Sequence, residues 1–313
     1  MHSNSVQSKR KLFATGQSGF VGSHILRLAA EQSRLSAHYA VPPAPPYDLL
    51  APDSLDAYLR AEQPDAVIHL AGQTFIPEAF ADPAATLKIN LLGTLNLLEA
   101  LKRNAFRGTF LYVSSGDVYG RVPTDELPIA EDRLPKPQNP YAVSKAAAEL
   151  LCYQWSRTEQ WRIVVARPFN HIGAGQRADF VIANIARQIV RIKHGLQPPT
   201  LSLGDVDVTR DFIDVEDVID AYLNLLEHGA SGETYNVCSG QEHSIRELVT
   251  TLLELAGVQA TITQDPSRYR PTDQRRVAGD SRKLRELADW RPKPITDALR
   301  AILLDWEKRY LDD

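Results

Sequence analysis

Cysteine, long apolar runs and surplus positive charge are all scarce in this chain, and each scarcity excludes something. Cys152 and Cys238 are its only cysteines, each inside an apolar run and neither in a Cys-x-x-Cys pair. No disulfide framework and no metal site are therefore expected. No apolar stretch approaches the roughly 18 residues that a membrane helix needs, so no membrane partner is expected. The formal net charge is −4. Without a global basic field, no nucleic-acid partner is expected, and any basic residue that matters acts locally. Residues 1–10 form a polar opening without the apolar core of a secretory signal. They read as a flexible tail, and the protein is expected to be cytoplasmic.

What is present suits an enzyme of two parts. The chain has 313 residues, 43% of them hydrophobic and 24% charged, enough for a main domain with a smaller companion. Short apolar runs over residues 12–15, 65–71, 108–115 and 161–167 alternate with helical patterns over 20–32, 86–103 and 141–158. The runs are continuous rather than alternating, so both faces of these strands are covered. The expectation is an α/β fold: a Rossmann-type, doubly wound parallel sheet over residues 11–167, with a later strand and helix near 208–228 returning to it. Residues 168–313 are expected to form mainly a smaller, discontinuous α/β lobe that binds substrate. In it, Ser244-Ile245-Arg246-Glu247 has the spacing of a capping box opening a helix that ends near Gly257.

Thr15-Gly16-Gln17-Ser18-Gly19-Phe20-Val21-Gly22 follows the first strand and opens the first helix. Glycine permits the tight turn, and backbone N–H groups at a helix start can face a pyrophosphate. The spacing is Gly-x-x-Gly-x-x-Gly, not the Gly-x-Gly-x-x-Gly fingerprint. Residues 38–47, where an acid would hold the ribose 2′-hydroxyl, contain neither acid nor arginine. The choice between NADP and NAD stays open, and Asp48-Leu49 either caps a loop or meets the adenine.

Tyr141 and Lys145 are four apart on an expected helix and so share one face. A ketone receiving hydride needs a proton donor at its oxygen, and an ammonium beside a phenol lowers the phenol's pKa. Ser114-Ser115-Gly116-Asp117-Val118-Tyr119-Gly120 lies at the carboxyl end of a buried strand, where open α/β sheets bind ligands. A serine hydroxyl there can hydrogen-bond the same oxygen.

Together TGxxGFxG, the strand-end SSxxVYG, YxxxK and RPFN resemble the extended short-chain dehydrogenases that act on nucleotide sugars, from about Lys11 to the C-terminus. The resemblance implies a bound NADP or NAD and a catalytic set of Ser115, Tyr141 and Lys145. It implies cofactor contacts at Gly16, Ser18, Gly19, Phe20, Val21, Gly22, Asp48, Leu49, Leu70, Ala71, Gly72, Asn90, Ser114 and Pro168, besides Tyr141 and Lys145. His69 reads as a satisfied core histidine.

Dehydratases of this group carry Glu where this chain has Asp117, after a Gly116 that offers no side chain. Arg167-Pro168-Phe169-Asn170-His171-Ile172-Gly173-Ala174-Gly175-Gln176 resembles the corresponding stretch of the GDP-4-dehydro-6-deoxy-D-mannose reductases. The expected reaction is thus reduction of a GDP-linked 4-keto-6-deoxy sugar to GDP-D-rhamnose, with a 4,6-dehydratase or 4-epimerase as the alternative. A non-catalytic dinucleotide-binding regulator is the remote alternative, although such proteins lose the tyrosine or lysine kept here. Substrate contacts are implied at Ser115, Gly116, Asp117, Asn170, Arg177, Arg210 and Arg270, because guanidinium forks grip a diphosphate bidentately. By analogy with the family, a homodimer is expected.

Overall fold

The computed structural model describes residues 9–268 and 274–312. The chain forms two compact units. One gathers the chain through Gly120 with Pro135–Arg167 and Ile219–Tyr235; the other gathers Arg121–Leu134, Pro168–Val218 and the chain from Asn236 onward.

In the first unit, strands β1 (Arg10–Thr15), β2 (Tyr39–Ala40), β3 (Ala66–His69), β4 (Thr109–Val113) and β5 (Arg162–Pro168) pair in parallel. With β9 (Thr234–Val237) the sheet order is β2-β1-β3-β4-β5-β9. Every residue of β3 and β4 is buried, as their unbroken apolar runs require of strands covered on both faces. Phe13, Val67, Leu97, Phe110, Trp161 and Val165 belong to the core, each contributing about 1.5–3 kcal/mol by burial. From β1 the chain first goes outward to β2 and then returns to β3 on the other side of β1. That reversal makes the carboxyl ends of β1 and β3 the place where a ligand crevice forms.

In the second unit, β8 (Thr209–Asp214) lies between β6 (Asn170–Ile172), which is parallel to it, and β10 (Glu242–Ser244), which is antiparallel. β7 (Thr200–Leu203) pairs in parallel with β11 (Thr261–Gln264). Helices Val181–Lys193, Ile245–Ala256 and Ile295–Asp312 supply Ile185, Ile189, Leu248, Leu252, Leu299 and Ile302 to its core. The Ser244–Glu247 capping box forms, and Gly257 ends that helix at a left-handed φ of 66°, which glycine adopts without strain.

The returning segment differs from the expectation. The strand near residue 208 stays in the second unit, because Phe212 of β8 joins that core and β10 pairs beside it. The first unit regains the chain only from Ile219. Residues 121–134 join the second unit, because the Ile129 N–H donates to the Ala278 carbonyl (2.8 Å) and the Asp280 N–H donates to the Ile129 carbonyl (2.8 Å). Of the expected tail, residues 1–8 lie outside the described residues, and Arg10 already begins β1. Among the described residues, no helix is long and apolar enough to cross a membrane. None of their acids, histidines and cysteines cluster in threes as a metal would need. Both cysteines are free and buried.

Candidate active site

The glycine turn begins at the end of β1. Gly16 has φ 69°, and a Cβ there would come within 3.0 Å of the Ala71 backbone. A Cβ on Gly22 would come within 2.2 Å of the Gly16 carbonyl oxygen. Both positions therefore need glycine, and Gly19 is the N-cap of helix Phe20–Ala30, without a side-chain cap on its first N–H groups. Those groups and the helix dipole suit an anion. Ser18 and Gly19 are exposed, Phe20 and Val21 half-buried. The proline-rich segment after β2 closes beside this turn: the Gly16 N–H donates to the Tyr47 hydroxyl (2.9 Å), and Gln17 bonds the backbone of Pro42 and Ala44.

Thr15 ties β1 to β3. Its hydroxyl accepts from the Leu70 and Ala71 N–H groups (both 3.0 Å) and lies 2.8 Å from His69 Nδ1. Since it accepts twice, its own proton goes to Nδ1. His69 Nε2 then carries the ring proton and donates to Thr94 Oγ1 (3.0 Å), which donates onward to the Asn90 carbonyl (2.6 Å). Burial and the Lys145 charge lower the pKa of His69 to about 3, so the ring is neutral and acts as a brace.

Asn90 sits in a π-helical turn, Lys88–Leu92, a local widening common at functional sites. Its amide accepts from the Gln73 N–H (2.8 Å) and donates to the Gln73 carbonyl (2.9 Å) and to Ser144 Oγ (2.8 Å). A Cβ on Gly72 would meet Asn90 Oδ1 at 2.8 Å. Ser114 Oγ and Gln73 Oε1 are buried with no hydrogen-bond partner among the described residues. Such atoms normally pair, so the cradle fits a polar ligand such as a dinucleotide.

Helix Pro140–Thr158 starts where Asn139 caps the Ala142 N–H (2.8 Å) and Pro140 occupies the first turn. It buries Tyr141 and Lys145 on one face. Ser115 opens the 3-10 turn Gly116–Tyr119, accepts from the Asp117 N–H (3.2 Å) and lies close enough to the Tyr141 hydroxyl to act against the rise in its pKa. Lys145 Nζ donates to the Val113 carbonyl (2.8 Å), lies 5.1 Å from the centroid of the Tyr112 ring, and lies 6.0 Å from that of Tyr141.

One expectation is reversed here. Tyr141 has a raised pKa, from burial first and the Asp117 carboxylate second, with the Ser115 hydrogen bond opposing both. Lys145 is the group pushed down, to about 8, by burial. Without a ligand, the phenol keeps its proton and the ammonium is the more readily discharged.

The remaining residues divide by unit. Asp48 is exposed, and its carboxylate closes a turn by accepting from the Leu50 N–H (2.8 Å), while Leu49 packs into the first core. Gly116 is half-buried and Asp117 exposed. In the second unit, Asn170 starts β6 and Arg210 lies on the adjacent β8, which brings them onto neighbouring strands, and Pro168 ends β5. Arg177 is exposed and pairs with Asp179 (2.7 Å). Arg270 lies outside the described residues. Sequence reasoning missed Thr15, Gln17, Tyr47, Gln73 and Tyr112 as builders of the site. Thr15 and Gln17 lie inside the quoted turn motif and Gln73 directly follows Gly72; Tyr47 and Tyr112 have no local signal.

A family model described as GDP-mannose 4,6 dehydratase matches residues 45–301. The chain belongs to the GDP-mannose 4,6-dehydratase family. A relative within this family's reach, the GDP-6-deoxy-D-mannose reductase of Pseudomonas aeruginosa, is 58% identical over 308 residues, covering 97% of this chain and 99% of the relative. The solved structure of RMD from Pseudomonas aeruginosa complexed with NADPH matches with a TM-score of 0.90 at 58% identity, over 96% of this chain and 100% of that one. The UDP-glucose 4-epimerase of Thermus thermophilus in complex with NAD matches with a TM-score of 0.80 at 29% identity, over 95% of this chain and 98% of that one. The α/β fold with its parallel Rossmann-type sheet agrees with both structures. These names include a dehydratase, a reductase and an epimerase, so membership alone does not select the reaction.

Proposed function

We propose that this chain reduces the C4 ketone of GDP-4-dehydro-6-deoxy-D-mannose to GDP-D-rhamnose, with NADPH or NADH as cofactor. The observation that carries the reading is the Tyr141 phenol, buried on the helix face one turn from the Lys145 ammonium and close enough to Ser115 for that side chain to lower its pKa. A bound nicotinamide supplies the hydride. Tyr141, protonated through neutral pH, gives its proton to the ketone oxygen as negative charge develops there. The Ser115 hydroxyl donates a hydrogen bond to the same oxygen. Lys145, charged below about pH 8, stabilises the phenolate left on Tyr141.

The glycine turn, the Leu70–Gly72 backbone, Asn90 and Ser114 hold the dinucleotide. The resemblance to the family assigns GDP-sugar contacts to Asn170, Arg177, Arg210 and Arg270, and to Ser115, Gly116 and Asp117. The name of the 58%-identical relative supports both the GDP-sugar and the reductive direction. Dehydration needs a second acid–base pair at the neighbouring carbon, whereas Gly116 has no side chain and Asp117 is exposed. The enzyme works as a homodimer. Exposed Val143, Leu150 and Tyr153 fall on one stripe of helix Pro140–Thr158, the kind of apolar patch that marks a subunit contact.

The test is incubation with GDP-mannose, or separately with the 4-keto sugar, each with NADPH. The keto sugar should consume one NADPH per GDP-6-deoxy sugar formed, and GDP-mannose should not react. Conversion of GDP-mannose to the keto sugar without net NADPH consumption would overturn the reading.

A further inference from the structure

Glu149 stands one turn beyond Lys145 and two beyond Tyr141, on the same face of the helix. It is buried, yet it makes a forked ion pair with the buried Arg167 of β5: Nε to Oε1 at 2.9 Å and Nη2 to Oε2 at 2.6 Å. The Arg167 guanidinium also lies 4.7 Å from the centroid of the Tyr119 ring and hydrogen-bonds the Tyr119 side chain. Tyr119 is fully buried at the far end of the 3-10 turn that Ser115 opens.

A buried ion pair is a weak source of net stability, because desolvation offsets most of the attraction, and an apolar pair of equal volume fills a core as well. What it adds is direction. A guanidinium is planar, and one fork on a carboxylate fixes its plane and hence the ring lying against it. A cavity of about 380 Å³ borders Glu149, Cys152 and Arg167, so close packing alone does not hold the pair in place. The backbone completes the turn's fixed end. The Lys136 N–H donates to the Val118 carbonyl (2.9 Å), and Gly120, at φ 63°, would place a Cβ 1.9 Å from the Lys136 carbonyl oxygen. Ser115, at the turn's head, is only half-buried.

We propose that Glu149, Arg167 and Tyr119 form a clasp joining the helix that bears Tyr141 and Lys145 to the turn that bears Ser115, and that the clasp sets where the Ser115 hydroxyl stands against the Tyr141 phenol during proton delivery. The three are positioning residues, and the proposal rests on the reductase reading of Ser115 and Tyr141. Because the clasp acts through Ser115, breaking it costs turnover only while Ser115 has a hydroxyl to misplace.

The experiment is a double-mutant cycle of Tyr119→Leu and Ser115→Ala. Keto-sugar turnover is measured by NADPH oxidation, and NADPH affinity by fluorescence. Tyr119→Leu is expected to lower kcat about 10- to 100-fold, as small displacements at reacting groups do, with the NADPH dissociation constant and the KM within about threefold. In the Ser115→Ala background the same substitution is expected to cost less than about threefold, since residues acting as one unit are not additive. Where Tyr119→Leu does not fold, Arg167→Lys, which keeps the charge and loses the fork, replaces it in the cycle. An equal loss in both backgrounds, or no loss in the parent enzyme, overturns the clasp and leaves the reductase reading standing. Unchanged turnover in Ser115→Ala alone overturns the catalytic role of Ser115, and the clasp falls with it.

Discussion

The buried carboxylates of Glu149 in the first unit and Asp211 in the second are satisfied in opposite ways. Glu149 meets a single guanidinium on another element and, through it, an aromatic ring beside Ser115. Asp211, in the second unit, is held almost entirely by backbone N–H groups of two segments distant in the chain. It accepts from the N–H groups of Ser239 (2.8 Å), Gly240 (2.9 Å) and Gly279 (3.2 Å), and from the Ser239 hydroxyl (2.6 Å). Side-chain links carry geometry from one element to another, whereas a backbone nest fastens loops in place. Glu149 sits on the helix that carries the proposed chemistry, whereas Asp211 keeps the fold of the second unit. Changes in the first unit should therefore appear in the rate, and changes at Asp211 in the stability.

Four substitutions or titrations press on that contrast. The largest effect is expected from Tyr141→Phe, which removes the proton donor and little else: kcat should fall about 10²- to 10⁴-fold, with melting temperature and NADPH affinity nearly unchanged. Asp211→Ala should do the reverse. It leaves several buried N–H groups without an acceptor, so stability should fall by about 3 kcal/mol and the melting temperature by about 6–12 °C, with kcat of the folded protein within about twofold. Calorimetry beside steady-state kinetics separates the two outcomes.

The third effect is a pH dependence. Lys145 has a folded pKa near 8 against 10.5 for the free side chain, so it loses its charge early as pH rises. With NADPH as the varied substrate, kcat/KM should fall about tenfold per pH unit above 8. The linkage has the opposite sign. The folded state binds fewer protons than the unfolded one between pH 8 and 10.5. The destabilisation from this group is therefore full below 8 and relieved above it. A loss of rate in that window without a loss of melting temperature separates titration from unfolding. The smallest effect belongs to Asp48→Ala. Its carboxylate already closes a local turn, so NADPH affinity should change less than about threefold by fluorescence titration. A larger change would give Asp48 a place at the cofactor.

Much of the first unit was legible in the sequence. β3 and β4 announced themselves as unbroken apolar runs, and their ends carry His69 and Ser114-Ser115. The Tyr141–Lys145 spacing placed both on one helical face, and the structure buries both there. β2, two residues long, and β6 and β10, three each, were not legible, because runs so short carry no period. Without β10, the strand around Arg210 looked free to join the main sheet. The π-turn at Asn90 has no sequence pattern, and the partners its amide reaches, Gln73 and Ser144, are distant along the chain. The direction of the Tyr141 pKa shift is hidden for a related reason: helical spacing reveals Lys145, but not the burial and the Asp117 carboxylate that raise the phenol's pKa.

Hydride delivery to C4 of a GDP-linked keto sugar is tested by a single turnover with NADPH deuterated at the transferring C4 position, followed by NMR of the product sugar. The expected product is a GDP-6-deoxyhexose with one deuterium, located at C4. A product without deuterium at C4, or deuterium at any other sugar carbon, would contradict it.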